Sequence, residues 1–247
     1  MRAPVQKPIR KGRGIVAAGG RTAATILRQL RRLANPTNVA GMARFGINPA
    51  RTLGISIPVL RQMAREIGRD HALARALWAS GVHEARILAG FIDDPACVTP
   101  AQMDRWAATF DSWDVCDQVC SNLFDRTPFA FQKAVAWTRR PEEFVKRAGF
   151  VLMAALAVHD RQTADAAFER FLRIIARGST DDRNFVKKAV NWALRQIGKR
   201  NRRLNRKAIA QAKVIQRMPS KAARWIAADA LRELAAARLS GRQHSRR

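Results

Sequence analysis

Apolar residues recur at three- and four-residue spacing along most of the chain, which is the pattern of amphipathic helices. Helix signals follow one another at intervals of roughly 15 to 20 residues. Strict alternation of apolar and polar residues, the mark of a half-buried strand, is almost absent. The pattern therefore predicts about a dozen helices joined by short connections.

Capping residues mark the boundaries of these predicted helices. Ser56 with Pro58 opens a segment that stops at Gly68, and Asp70 opens the next, which stops at Gly81. Further starts are predicted at the Thr99–Gln102 capping box, Thr127–Pro128, Pro141, Asp160 and Asp182, and further stops at Gly178 and Gly198. A continuous series of helix pairs of similar length predicts an all-α protein, a HEAT-like α-solenoid in which antiparallel helix pairs form a curved superhelix. A compact helical bundle is the alternative.

Charge narrows the class of partner. The chain has 46 Lys and Arg against 19 Asp and Glu, a formal net charge of +27. Self-repulsion of this size favours a polyanionic partner, with nucleic acid as the first candidate and an anionic membrane surface as the second. Because no apolar run approaches the roughly 20 residues that cross a bilayer, a membrane contact could only be peripheral. We expect no membrane partner.

Positive charge is dense at both ends of the chain. We expect a flexible basic arm over 1–20, a folded domain over 21–239 and a basic disordered tail over 240–247. Three cysteines form an odd and sparse set, which suits a reducing cytoplasm better than a secreted disulfide scaffold. We therefore expect a cytoplasmic protein, associated with the nucleoid when it binds DNA.

The predicted helix from 182 to 198 has one apolar and one basic face. Its core stripe comprises Val186, Ala189, Val190, Ala193 and Ile197, and its opposite face comprises Lys188, Trp192, Arg195 and Lys199. A tryptophan among cations can press its ring against a sugar or base while the cations bind phosphates. Packing of Trp192 against a neighbouring helix remains the alternative.

A second candidate constellation involves three residues elsewhere. Trp113 and Asp117 lie four residues apart and share a helix face, where a carboxylate beside an indole can stabilise a cation. The alternative is an ordinary acidic residue near a helix start. Arg147 lies on an apolar face and needs either an anionic partner or a snorkelling side chain at the helix edge.

Metal chemistry finds no support in the sequence. His83 and Glu84 are not followed by a histidine at position 87, where Ile87 stands, so no zincin motif is present. Cys116 and Cys120 lie one helical turn apart, but no second cysteine pair completes a zinc site. No phosphate-binding loop, dinucleotide fingerprint or nucleophile elbow occurs either, and we expect neither a metal nor a cofactor.

Four stretches of the sequence resemble the AlkD-type DNA alkylation repair family of HEAT-like glycosylases. They are RTLGISIPVLR at 51–61, LWASGVHEARILA at 77–89, SWDVCD at 112–117 and FVKKAVNWALR at 185–195. The resemblance spans about Thr37 to about Arg232. It implies a C-shaped solenoid that grips duplex DNA and hydrolyses the N-glycosidic bond of cationic alkylpurines such as N3-methyladenine and N7-methylguanine. The lesion is expected to stay largely stacked during the reaction.

The resemblance also implies roles for individual residues. Asp117 matches the catalytic aspartate, Trp113 and Trp192 the two tryptophans at the lesion nucleotide, Arg147 an arginine of the same site, and Arg195 a phosphate contact. Two departures are Ser112, where a second tryptophan is expected, and Cys116 inside the motif. The longer basic extensions imply extra non-specific affinity for DNA.

The alternatives differ in chemistry but share the fold. The first is a non-catalytic DNA-binding solenoid that recognises damaged or branched DNA. The second is a protein-binding scaffold, whose interaction with duplex DNA would depend little on salt, whereas phosphate contacts predict a steep dependence. For the glycosylase we expect double-stranded DNA with alkylated bases as partner, no obligate protein partner, and a monomer.

Overall fold

The computed structural model describes the backbone of residues 21–243 and the side chains of residues 21–236. This part of the chain contains thirteen α-helices, one short 3₁₀ turn and no strand, which confirms the all-α prediction. The first seven helices are α1 (Ala23–Arg32), α2 (Pro36–Arg44), α3 (Ile57–Ile67), α4 (His71–Ala79), α5 (His83–Ile92), α6 (Pro100–Ala107) and α7 (Trp113–Asn122). After the 3₁₀ turn Phe124–Arg126 come α8 (Ala130–Trp137), α9 (Glu143–His159), α10 (Asp165–Gly178), α11 (Asn184–Arg200), α12 (Arg202–Gln216) and α13 (Lys221–Gln243).

The helices form two layers. In one layer α3, α5, α7, α9, α11 and α13 each contact the next, and in the other α4, α8, α10 and α12 pack behind them. Neighbours in the first layer run in the same direction: Asn191 bonds Asp229, and Arg195 one turn later bonds Glu233. Helix pairs stacked side by side in this way form a HEAT-like α-solenoid. None of the described helices is long and apolar enough to cross a bilayer.

The core lies between the two layers. All five residues of the predicted apolar stripe of α11 are fully buried, which confirms that stripe. Helix α9 is apolar almost all round and buried over most of its length, as expected of a helix with neighbours on every side. Trp78 and Trp106 stack with ring centroids 4.0 Å apart and close the core between α4 and α6.

Several predicted helix boundaries agree with the structure. Helix α3 begins after Ser56, and the Asp70 carboxylate accepts a hydrogen bond from the Leu73 amide at 2.9 Å at the start of α4. Thr99 caps α6 through the Gln102 amide at 3.1 Å. The reciprocal half of the predicted capping box is wrong, because the Gln102 side chain is buried and donates to Asp93 at 2.7 Å instead.

Two other predicted starts lie off by several residues. Thr127 does not open α8, which begins at Ala130: its hydroxyl donates to the Phe124 carbonyl at 2.8 Å and closes the 3₁₀ turn. Asp160 organises the loop after α9 by accepting from two loop amides, while α10 begins only at Asp165. Short polar side chains cap turns as readily as helices, which explains both errors.

The last two of the four predicted glycine stops differ in outcome. Helix α10 ends at Gly178 as predicted, but α11 continues past Gly198 to Arg200. A Cβ atom at Gly198 would lie 2.5 Å from Leu234 Cδ2, so this glycine allows α13 to approach α11 closely. Helix α13 extends to Gln243 and includes residues 240–243 of the predicted tail, whereas 244–247 and the predicted arm over 1–20 lie outside the described residues.

The junction between α9 and α11 depends on Asp181. Its carboxylate accepts from Lys146 Nζ at 2.7 Å and from Arg183 Nη2 at 2.7 Å, and it also accepts from the Arg183 amide at the start of α11. Desolvation raises the pKa of Asp181, but the hydrogen bonds and charges of Arg183 and Lys146 outweigh it and lower the pKa from 3.8 to about 2. Asp181, not the predicted Asp182, thus holds the start of α11.

Asp181→Asn is expected to reduce the free energy of unfolding at neutral pH by about 1 kcal/mol. Because the folded-state pKa is depressed, the carboxylate stabilises the fold fully above pH 3.8, and this contribution is lost as the pH falls toward 2. Chemical denaturation of both proteins should therefore show a gap at pH 7 that narrows at pH 3. Asp182→Asn, an exposed charge-matched control, should stay close to wild type. A pH-independent gap would contradict the assignment.

Candidate functional site

Asp117 and Arg147 form a two-pronged ion pair between α7 and α9. Arg147 Nε lies 2.9 Å from Asp117 Oδ1, and Arg147 Nη2 lies 2.8 Å from Asp117 Oδ2. The side chain of Asp117 is 15% exposed, and that of Arg147 is 6% exposed. The arginine is thus buried with a carboxylate partner and does not snorkel at the helix edge. Such paired parallel hydrogen bonds fix the orientation of the carboxylate.

A third helix completes the support of this ion pair. Arg147 Nη1 donates to the backbone carbonyl of Phe185 at 2.6 Å, and Phe185 lies in the first turn of α11. The Phe144 and Phe185 rings pack with centroids 5.4 Å apart beside this contact. One guanidinium therefore ties together α7, α9 and α11 near their N-terminal ends.

The electrostatics of the pair follow from burial and mutual attraction. Burial raises the pKa of the Asp117 carboxyl, and the Arg147 guanidinium opposes that shift. Burial acts to lower the pKa of Arg147, but the charge of Asp117 outweighs it and the net shift is upward. Each carboxylate oxygen has two acceptor sites and Arg147 occupies one on each, so Asp117, whose side chain is 15% exposed, keeps acceptor sites for further hydrogen bonds.

Trp113 lies directly beside this pair. Its ring centroid is 6.0 Å from the central guanidinium carbon of Arg147, and its indole Nε1 donates to the backbone carbonyl of Phe45 at 3.0 Å. The side chain is partly exposed. The structure therefore brings together three of the four predicted site residues, Trp113, Asp117 and Arg147, at one partly open position.

Trp192 lies further along α11. It follows Phe185 by seven residues on the same helix face, which corresponds to about 10 Å along the helix axis. It is partly exposed and packs against the core. Trp192 thus lies about two helical turns along α11 from the Phe185 carbonyl that Arg147 contacts, on the same layer of helices as the Asp117–Arg147 pair.

The predicted DNA-binding residues differ in their surroundings. Lys188 is exposed one turn before Trp192. Arg195 and Lys199 both contact Glu233 on α13, and Arg195 also lies 3.8 Å from Asp229. A DNA phosphate would have to compete with these carboxylates for Arg195 and Lys199. Their role in DNA binding stays a prediction.

The two departures from the family pattern have structural explanations. Ser112 is fully buried, and its hydroxyl accepts from the Asn48 amide at 2.9 Å, so the loop before α3 occupies the space that a tryptophan side chain would need. Cys116 is fully buried, and its sulfur lies 3.7 Å from the Phe144 carbonyl. It is a core residue between α7 and α9.

The other buried polar groups near α7 lack the geometry of a metal site. His83 Nε2 lies 2.8 Å from Asp114 Oδ2 in the core. Burial lowers the pKa of His83, but the hydrogen bond to Asp114 outweighs it and the net shift is upward. Among the described residues there is no group of three or more His, Cys, Asp or Glu that could hold a metal ion.

Sequence reasoning missed a cluster of cations beside α7. Four arginines line an open pocket of about 290 Å³, which we call the four-arginine pocket: Arg61, Arg65, Arg69 and Arg126. Arg61 is held by neutral partners, since it donates to the side chains of Gln118 and Asn122 and lies 4.6 Å from the Phe91 ring centroid. Arg61, Arg65 and Arg69 follow one another at four-residue spacing, and this spacing could have predicted the cluster.

Little negative charge compensates the four-arginine pocket. Arg69 lies 3.4 Å from Asp94, and both side chains are largely exposed. Arg65 donates to the neutral amide of Gln62, and Arg126 is exposed. Gln118 and Asn122 belong to the same helix as Asp117, so α7 contributes to both the pocket and the ion pair. This largely exposed excess of positive charge is suited to phosphate groups.

The family model for DNA alkylation repair enzymes matches residues 26–234. The chain belongs to this family. A solved structure described as "a new family of proteins related to the HEAT-like repeat DNA glycosylases with affinity for branched DNA structures" superimposes with a TM-score of 0.71. The match covers 83% of this chain and 92% of that chain at 20% sequence identity, which establishes a shared fold. No curated protein matches the chain.

Proposed function

We propose that this DNA alkylation repair protein is a DNA glycosylase that releases cationic alkylpurines from duplex DNA by hydrolysing the N-glycosidic bond, the first step of base excision repair. The observation that carries the proposal is the Asp117 carboxylate, fixed by Arg147 and partly open to solvent beside Trp113. A carboxylate held in advance at such a position stabilises positive charge as it develops.

A single carboxylate suits this particular substrate. Ordinary glycoside hydrolysis uses two carboxyl groups, one of which protonates the leaving group. An N3-methyladenine or N7-methylguanine base already carries positive charge, so it leaves as a neutral base without protonation. The remaining requirement is to stabilise the cation that forms on the deoxyribose and to orient a water molecule toward C1′. That water adds its oxygen to C1′ and loses a proton, which the Asp117 carboxylate can accept.

Arg147 acts as a positioning residue in this scheme. Its guanidinium opposes the effect of burial on the pKa of Asp117 and thereby favours the ionised carboxylate. The partly exposed rings of Trp113 and Trp192 would contact the sugar and backbone of the lesion nucleotide. These roles need no rotation of the base into a pocket.

Basic residues on the same layer of helices would bind the DNA backbone. The four-arginine pocket adjoins the C-terminal half of α7, and Lys188 is exposed on α11. Arginine pairs well with phosphate because its planar group offers two parallel donors. Duplex binding should therefore weaken steeply as salt concentration rises, since each neutralised phosphate releases counterions.

Base release from alkylated DNA tests the proposal. Duplex DNA treated with dimethyl sulfate is incubated with the protein, and the free bases are measured by chromatography against the spontaneous loss without protein. We expect release of N3-methyladenine and N7-methylguanine well above that background, and none from untreated duplex. Release at the spontaneous rate, by protein that binds the same duplex, would refute the glycosylase assignment.

The second candidate is a non-catalytic DNA-binding protein. It is favoured by the superimposed structure, whose family is described as having affinity for branched DNA. This function predicts tighter binding to a four-way junction than to a duplex of equal length, with no base release. Binding that is weak for both DNAs and insensitive to salt would instead indicate a protein-binding scaffold.

A further inference from the structure

Phe45 is the most exposed large apolar side chain among the described residues. It is 74% exposed, whereas the next most exposed, Val214, is 52% exposed. Isolated apolar residues on a surface are common and need no explanation by themselves. Phe45 differs because of its location, since its backbone contacts the candidate site directly.

The backbone around Phe45 is held on both sides. The Phe45 carbonyl accepts from Trp113 Nε1 at 3.0 Å, and two residues beyond Gly46 the Asn48 amide donates to Ser112 at 2.9 Å, so this segment lies on the N-terminal end of α7. Gly46 has φ of 77°, and a Cβ atom there would lie 2.6 Å from Cζ of Phe185 on α11. The segment 45–48 is therefore fixed between α7 and α11, next to the helix ends that Arg147 joins.

This arrangement leaves an aromatic ring exposed to water on a fixed backbone beside Trp113, which itself lies next to the Asp117–Arg147 pair. A rigid backbone with an exposed phenyl group gains free energy when a partner covers the ring. Phosphates cannot do so, because a phenyl group has neither charge nor a hydrogen-bond donor. The surfaces of DNA that can cover it are the C–H faces of deoxyribose and the faces of bases, and of these only a base offers a flat partner for stacking.

We propose that Phe45 stacks on a base of the bound DNA at the step beside the nucleotide whose deoxyribose faces Asp117. This inference rests on the proposed function only in that it requires DNA to lie over the site; it does not require catalysis. Apolar side chains that enter a base step partly unstack it and bend the duplex. Phe45 would thus hold the DNA in register with the Asp117 carboxylate without reading its sequence, because every base offers a stacking face.

The test uses a duplex that cannot react. It carries 2-aminopurine beside a tetrahydrofuran abasic analogue, so that unstacking raises the fluorescence while no glycosidic bond is available for cleavage at the analogue. We expect the wild-type protein to raise the fluorescence on binding. Phe45→Ala should abolish this rise and weaken the affinity about tenfold, whereas Phe45→Trp should preserve both. Because the ring is exposed, neither substitution should change the melting temperature.

Leu33→Ala is the matched control, since Leu33 is an exposed apolar residue at the end of α1. It should bind as tightly as wild type and give the full fluorescence rise. The proposal is overturned if the wild-type protein gives no rise, if Phe45→Ala gives the full rise at unchanged affinity, or if Leu33→Ala loses as much as Phe45→Ala. A fluorescence rise without base release from alkylated DNA would refute the glycosylase assignment and leave the role of Phe45 intact.

Discussion

Asp117→Asn is expected to slow the release of alkylated purine by about a thousandfold, with duplex affinity within about threefold of wild type. Asparagine has the size of aspartate but no charge, so it cannot offset the positive charge that develops on the deoxyribose. Because that interaction exists only in the transition state, its loss lowers the rate and not the binding. Single-turnover rates on alkylated duplex, together with fluorescence anisotropy on the abasic-analogue duplex, measure the two quantities separately.

The control for this substitution must separate chemistry from folding. Asp117→Asn leaves Arg147 with a weaker partner, so some loss of stability accompanies it. Asp181→Asn removes another carboxylate between α9 and α11 that has no place in the proposed reaction. With both variants assayed well below their melting temperatures, only Asp117→Asn should lose release. Equal rates for Asp117→Asn and wild type would eliminate Asp117 as the catalytic group.

The decline of the release rate at low pH should report the ionisation of the Asp117 carboxyl. The ionised carboxylate is the active form, and burial raises its pKa above the usual value. Release should therefore decline, as the pH falls, at a higher pH than an exposed aspartate would dictate. The flanking Asp114 adds to the upward shift, whereas Arg147 limits it.

The spacing of apolar residues along the chain predicted the helices and which of their residues share a face. The apolar stripe of α11 and the shared face of Trp113 and Asp117 follow from 3.6 residues per turn alone. The predicted helix stop at Gly198 is wrong because glycine not only ends helices but also permits close packing. The residue that needs this space, Leu234, is distant in sequence. The sequence alone does not show that Leu234 packs against Gly198.

The supporting contacts of the site could not be predicted in this way. Arg147 lies 30 residues from Asp117, and the sequence left its partner open between a carboxylate, a phosphate and solvent. Trp113 lies 68 residues from the carbonyl of Phe45, in a segment without helical periodicity. Only the stacking of α7, α9 and α11 determines which of these groups meet.

Arg147→Ala is expected to reduce the free energy of unfolding by about 3 kcal/mol, because it leaves the largely buried Asp117 carboxylate without a counter-charge. It also removes the hydrogen bond to the Phe185 carbonyl, so α11 loses a link to α9. Chemical denaturation at neutral pH measures the change. Arg203→Ala, which breaks an exposed pair with Glu169, should cost no more than about 0.5 kcal/mol. Equal losses in the two variants would contradict the prediction.

A double substitution distinguishes a pair retained for stability from one retained for chemistry. Buried ion pairs replaced by apolar residues of similar volume often leave a protein as stable as before, since desolvation of both charges is avoided. Asp117→Leu combined with Arg147→Met should therefore recover most of the stability lost in Arg147→Ala. If that stable protein still fails to release alkylated purine, the fold does not need the charges and the reaction does. If its stability instead matches that of Arg147→Ala, the pair is primarily a structural link between α7, α9 and α11.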